Sequence, residues 1–378
     1  MKKVLLIIIT VLILAIIILF LYPWEEKRLD NISMAKKFLD TKTTNEKGLG
    51  CGPPDDWDCG YTRYQNYAIW VNSVFYRETR DSKYLDYAIK FANTRPTSPP
   101  DVCPNCICSM PDDFDCGNGE DQADTIYSFV FLYDKTGNKT YLDFAENVAE
   151  NRPTGLPDWC KDCICGPPDD WDCGTSSIQS LYVEAYYYLY QVTNDTKYKA
   201  YMQNLLDEYQ NKSAASTGAG TITIYILGYN ATGNVTYLEI AKQKAIEFAT
   251  SNTECMIPGE WQCPNNYKYY QGKIIYIYTR LYELTGEKEF LDYAVKFADA
   301  GSSDCGPTAG WACSDPLKQG LMIRSYHKIY RLTGETKYLD YFNKLTSMDS
   351  FEKIGCADYD CHDAEFNYGL GFFLLETA

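Results

Sequence analysis

An internal repeat constrains this chain more than any other feature. "RETRDSKYLDYAIKFA" from Arg77, "DKTGNKTYLDFAENVA" from Asp134, "ELTGEKEFLDYAVKFA" from Glu283 and "RLTGETKYLDYFNKL" from Arg331 are one unit written four times. Weaker copies begin at Gln191 and Tyr229. Each has a T-G turn or its equivalent, then apolar residues at i, i+3, i+4 and i+7, which predicts a turn followed by an amphipathic helix. Another helical segment precedes each turn and is heavy in tyrosine, as in "SSIQSLYVEAYYYLY" from Ser176. The unit therefore reads as helix, tight turn, helix and then a longer loop.

The loops carry the cysteines. Six share a closing cysteine with an aromatic two places before it: Trp57, Phe114, Trp171, Trp261, Trp311 and Tyr359. A seventh loop, "AASTGAGT", keeps the place without the cysteines, and with Thr221 standing in, the period is about 50 residues. The ectodomain begins with a lone second-type helix, roughly 30–39, and ends with a lone first-type helix, "DAEFNYGLGFFLLETA". An open solenoid needs polar caps at both ends, whereas this last helix is strongly apolar. The prediction is an all-α, closed α/α toroid of about seven helical hairpins over residues 30–378, with an open superhelix as the alternative.

The hairpins "LYELTGEKEFLDYAVKFADA" and "IYRLTGETKYLDYFNKL" resemble the α/α-toroid superfamily of six-hairpin glycosidases and sugar epimerases. The resemblance covers nearly the whole ectodomain but rests on scaffold motifs. It implies inner helices lining a funnel, with the cysteine loops around its mouth. It also implies binding or processing of carbohydrate.

The N-terminus predicts a membrane anchor. Residues 4–22 are an uncharged apolar run behind Lys2 and Lys3, about the ~20 residues a spanning helix needs. No small-residue cleavage site follows. The expected layout is a cytoplasmic stub at 1–3, an anchor in lipid at 4–22, a linker at 23–29 and an extracellular domain. Six N-x-S/T sequons suit a glycoprotein without requiring one. A net charge of −16 offers nucleic acid no basic stripe.

Outside the cell, sixteen cysteines mean disulfides by default. The spacing pairs Cys51 with Cys59, Cys108 with Cys116, Cys165 with Cys173, Cys255 with Cys263, Cys305 with Cys313 and Cys356 with Cys361. Two further pairs are Cys103 with Cys106 and Cys160 with Cys163. Zinc at the C-x-x-C clusters is the competing reading, but the same frame recurs where only two thiols exist. The triplets Asp55, Asp56, Asp58; Asp112, Asp113, Asp115; and Asp169, Asp170, Asp172 suit turns and helix caps. Calcium is the sharper alternative there; no other metal or cofactor is expected.

Glycosidases need two carboxylates across a sugar-sized gap. "GEDQAD" breaks the repeat symmetry, so Glu120, Asp121 and Asp124, with Glu365 in the last repeat, are the catalytic candidates. An amide recurs six residues beyond the closing cysteine: Gln65, Gln122, Gln179, Gln319 and Asn367. Only the Cys263 repeat departs, with Gln271 two places further on. The amide ring is read either as a belt joining helices or as a sugar-binding ring beneath aromatic platforms at Trp57, Trp171, Trp261 and Trp311. The non-enzymatic alternative is a cell-surface repeat module whose similar loops bind a protein or glycan.

Overall fold

The computed structural model describes residues 30–44, 50–97, 108–151, 165–168, 170–212, 218–258, 271–300, 305–307, 309–361 and 364–377. The expected anchor at 4–22 and the pairs Cys103–Cys106 and Cys160–Cys163 lie outside these residues. Among the described residues, no helix is long and apolar enough to cross a membrane.

Helices dominate. The chain enters through α1, residues 30–40. A two-stranded ladder follows, β1 (Thr43–Thr44) against β2 (Gly50–Cys51). Six hairpins come next: α2 (Thr62–Thr79) with α3 (Ser82–Ala92), α4 (Gly119–Thr136) with α5 (Lys139–Glu150), and α6 (Ser176–Thr193) with α7 (Thr196–Lys212). They continue with α8 (Ala219–Thr232) and α9 (Val235–Ser251), α10 (Gln271–Thr285) and α11 (Lys288–Asp299), and α12 (Pro316–Thr333) and α13 (Thr336–Leu345). A short α14 (Met348–Lys353) leads to α15 (Ala364–Glu376).

The turn inside each hairpin is local chemistry. The first helix ends on a residue in the left-handed region, Arg80, Gly137, Asn194, Gly233, Gly286 or Gly334, and its N–H closes the last turn, as from Gly137 to the Tyr133 carbonyl. In four hairpins an acceptor then caps the second helix: Asp81 takes the Lys83 N–H, Asn138 the Thr140 N–H, Asp195 the Lys197 N–H and Asn234 the Thr236 N–H. Apolar spacing then buries Tyr84, Ala88 and Phe91 in α3 and the matching Phe290, Ala294 and Phe297 in α11. Burial of each phenylalanine among them stabilises by about 1.5–3 kcal/mol.

The first helices of the hairpins pack side by side in the order α2, α4, α6, α8, α10, α12, α15, and α15 returns to α2. The ring is closed, and the open superhelix is excluded. Close approach is built in, since a Cβ on Gly272 of α10 would sit 2.8 Å from the Leu321 backbone of α12. At the seam, α1 supplies the outer partner of α15, which completes the seventh hairpin from the two ends of the chain. Asn31 donates to Thr377 at 3.1 Å, and Asn367 donates to the Phe38 carbonyl at 2.9 Å. Phe38 is fully buried between the Phe351 and Tyr359 rings.

Disulfides join Cys51–Cys59, Cys108–Cys116, Cys165–Cys173, Cys305–Cys313 and Cys356–Cys361. Cys255 is also disulfide-bonded; Cys263 lies outside the described residues. Thr221 does not take a cysteine's place, because it lies inside α8.

Candidate functional site

The predicted amide ring exists, and its atoms are engaged with the scaffold. Gln65 donates to the Trp57 carbonyl at 2.8 Å and the Phe91 carbonyl at 2.5 Å, and accepts from the Cys59 N–H at 3.0 Å. Gln179 does the same with Trp171, Leu205 and Cys173, and Gln319 with Trp311, Leu345 and Cys313. Asn367 makes the clamp across the seam with Tyr359, Phe38 and Cys361. Gln122 reaches the Val148 carbonyl and accepts from the Tyr182 hydroxyl, both at 2.5 Å. Gln271 reaches Phe297 at 2.8 Å, so the repeat that departs in cysteine spacing keeps the clamp. Each amide thus ties a first helix to the end of its second helix and, in four repeats, to the cysteine loop as well. All six are buried. The belt reading is the one this geometry supports: every amide nitrogen is spent on backbone carbonyls, and among the described residues Gln271 Oε1 is the belt oxygen without a partner.

The loop aromatics also face the scaffold. Trp57 lies against Tyr87 and Phe91 with the Lys90 ammonium 4.5 Å from its ring centre. Trp171 packs on Tyr201, and Trp311 on Tyr341 beneath Lys344. Trp261 lies outside the described residues. The loop aspartates serve turns and ion pairs: Asp58 accepts from the Gly60 N–H, Asp115 from Gly117, and Asp172 from Gly174. Lys42 pairs with Asp55 and Asp56, and Arg95 with Asp113. Among the described residues, no group of three His, Cys, Asp or Glu is arranged to hold a metal.

A cavity opens inside the ring, and it follows a different register on the same helices. Five residues beyond each amide, and at the matching places in α8 and α15, stand Trp70, Tyr127, Glu184, Thr223, Tyr276, Arg324 and Phe372, and all seven line it. A layer nearer the loops, two residues from the amide, brings Asp124, Leu181 and Lys273 to the wall. A layer nearer the foot, nine residues on, brings Phe131, Tyr188, Arg280 and Glu376. These are the i+3 and i+7 steps of one helix face. The space has two lobes, of about 600 Å³ toward Arg77 and Glu376 and about 840 Å³ toward Asp315 and Lys318. They share Trp70, Glu184, Tyr188, Arg324 and Phe372.

Two carboxyl groups on this wall are altered by their surroundings. Burial pushes Glu184 up to about 7, with Arg324 the only charge opposing it. Burial likewise pushes Glu376 up to about 7, against Arg324, Lys328 and Arg77. Arg324 pairs with Glu376 at 2.8 Å and lies 3.5 Å from the centre of the Tyr276 ring. Tyr127 and Tyr188 are held well into their protonated range, first by burial and then by the Glu184 charge. The wall therefore offers a carboxyl still holding its proton near neutrality, a carboxyl facing three cations, hydroxyl donors, and aromatic faces. Convergent polar groups on a largely aromatic wall are what small-molecule sites generally present.

Of the sequence-derived acids, Asp124 lines this cavity. Glu120 pairs with Arg63 at 3.3 Å. Asp121 is buried at the start of α4, where its carboxylate accepts from the Asn118 amide at 2.9 Å. The Glu365 side chain lies outside the described residues. Glu184, Glu376, Arg324 and Lys273 were not anticipated. One signal was available, because Glu184 is the single charged residue in α6.

Fold and cavity together define a disulfide-stapled α/α toroid of the carbohydrate-active kind. Residues 167–365 match the beta-L-arabinofuranosidase GH127 catalytic domain, more than half of the chain, and the protein belongs to that family. The matched stretch includes Glu184, Lys273 and Arg324. No curated protein matched the sequence. Among solved structures, an inactive variant of the alpha-1,6-mannanase of Salegentibacter sp. HEL1_6 with alpha-1,6-mannotetrose is similar. It shows a TM-score of 0.47 and 14% identity, over 94% of this chain and 98% of that one. A sugar epimerase from a ruminal bacterium gives 0.44 and 11%, over 92% and 98%. The Lin0763 protein of Listeria innocua gives 0.45 and 14%, over 74% and 87%.

Proposed function

We propose that this protein is a glycoside hydrolase that takes a sugar residue into the toroid cavity, with a furanoside of the L-arabinose type as the first substrate to test. The observation that carries this reading is a pair of carboxyl groups with raised proton affinity, Glu184 and Glu376, on one aromatic-lined wall. Family membership gives the choice of sugar.

The two carboxyls differ in their neighbours, and that difference divides the work. Glu184 lines both lobes with a single opposing cation, so it holds its proton near neutrality and can give it to the leaving oxygen. Glu376 pairs with Arg324 at 2.8 Å and faces Lys328 and Arg77, so three cations favour its ionised form and it serves as the carboxylate opposite the departing group. Trp70, Tyr276 and Phe372 offer faces for the apolar side of a sugar ring. Tyr127 and Tyr188 stay protonated and are hydrogen-bonded to each other, which leaves one hydroxyl proton of the pair to donate to a sugar.

The setting belongs to the same proposal: an anchor at 4–22 holds residues 30–378 outside the cell membrane, where the disulfides persist. The test is hydrolysis of a panel of aryl glycosides, including the β-L-arabinofuranoside, by the full chain in mild detergent. Release of aglycone by the wild type and not by Glu184→Gln is expected. An inert wild type across the whole panel would sink the hydrolase reading.

A further inference from the structure

Lys273 is the least accommodated charge in the ring. It stands in the first turn of α10, where the unsatisfied N–H groups of a helix disfavour a cation. It lines the larger lobe of the cavity. Among the described residues it has no ion pair, hydrogen bond or ring contact, and burial alone lowers its proton affinity. The other cations of this lobe are matched: Arg280 with Glu283, Lys318 with Asp315, and Arg324 with Glu376. The corresponding positions on other helices are Tyr67, Asp124, Leu181, Leu321 and Gly369, so a base occurs here on α10 alone among these. A half-buried, unmatched ammonium loses hydration that no partner replaces, which is unfavourable unless something else pairs with it.

We infer that Lys273 marks a subsite for an anionic sugar, a uronate carboxylate or a sulfate ester, in the lobe between α10 and α12. The glycan acted on is then acidic, even though the protein carries a net charge of −16. An anion placed there meets Lys273 with its charge unshared and has Lys318 and Arg324 on the same wall. Neutral sugars would leave Lys273 as it is now. This inference rests on the cavity being a glycan site and not on any bond being broken.

The test is calorimetric titration of the full chain in mild detergent at physiological salt. The probes are galacturonic acid, its neutral methyl ester, galactose 6-sulfate and galactose. At least tenfold tighter binding of an anionic probe than of its neutral partner is expected, with that preference lost in Lys273→Met. Preference for the carboxylate alone identifies a uronate site, and preference for the sulfate alone a sulfated-sugar site. Equal binding of charged and neutral probes, or a preference that survives in Lys273→Met, overturns the inference. Lys273→Met should also melt higher than the wild type, because it removes an unmatched, half-buried charge; a lower Tm would make Lys273 structural and equally overturn it. Binding without hydrolysis would sink only the hydrolase reading.

Discussion

Two rings of side chains lie five residues apart on the same inner helices, and they behave in opposite ways. The first is the amide belt, where Gln or Asn recurs and every clamp repeats the same bonds to an outer-helix carbonyl. The second is the cavity ring, where Trp, Tyr, Glu, Thr, Tyr, Arg and Phe follow one another without repetition. Duplicated hairpins must keep whatever closes a hairpin, since a buried amide with a missing partner is expensive. They have no such constraint on the side chains that face the hole. In a toroid assembled from copies, the scaffold is found where the copies agree and the chemistry where they differ.

Substitutions in the two rings should therefore separate activity from stability. Glu184→Gln has the largest expected effect: turnover falls by about 10²–10⁴-fold, the range for loss of a general acid, with the melting temperature not lowered. Turnover of aryl glycosides by the variant, with its thermal melt, checks both halves. On the scaffold side, replacing Cys51 and Cys59 by serine frees an eight-residue separation and should cost about 2–3 kcal/mol on loop-entropy grounds. Denaturant unfolding measures it. Gln319→Ala leaves the Cys313 N–H and the Leu345 carbonyl without their partner and should cost about 1–3 kcal/mol. If it abolished turnover while leaving the melt unchanged, the division between the rings would be broken.

The subtlest effect is in pH. Glu184 and Glu376 have folded-state values raised to about 7, above the ordinary carboxyl range. A raised group gives stability that is fully present below its unfolded value and is lost as pH rises through its folded value. The melting temperature of the wild type relative to Glu184→Gln should thus be highest near pH 4.5 and decline toward pH 7.5. Paired melts in the same buffers would show it, and a flat difference would contradict the burial assigned to Glu184. Turnover should fall on the alkaline side of the same range as the acid loses its proton.

The sequence carried the architecture well. T-G turns, apolar spacing and the half-hairpin at each end led to a seven-hairpin ring, and the seam from Asn367 to Phe38 closes it. It carried the site less well, and the reason is geometric. The amides attract notice because they repeat, but residues at their register turn toward the outer helix and its last carbonyls. The cavity face begins two residues later, and which face of a tyrosine-rich helix looks inward is not decided by hydrophobicity when both faces are buried. "GEDQAD" illustrates this mixture: Asp121 serves the helix start and Glu120 an ion pair, while Asp124 reaches the wall.

The seam also fixes a direction. Asn31 meets Thr377 at the foot of α15, and Phe38 meets Asn367 at its head beside the Cys356–Cys361 loop. Whatever precedes residue 30 therefore arrives at the foot of the ring, opposite the stapled loops. The stretch 23–29 spans at most about 25 Å when fully extended. If residues 4–22 sit in the bilayer as proposed, the foot of the ring stays within that reach of the lipid, and the stapled loops lie on the ring's other side.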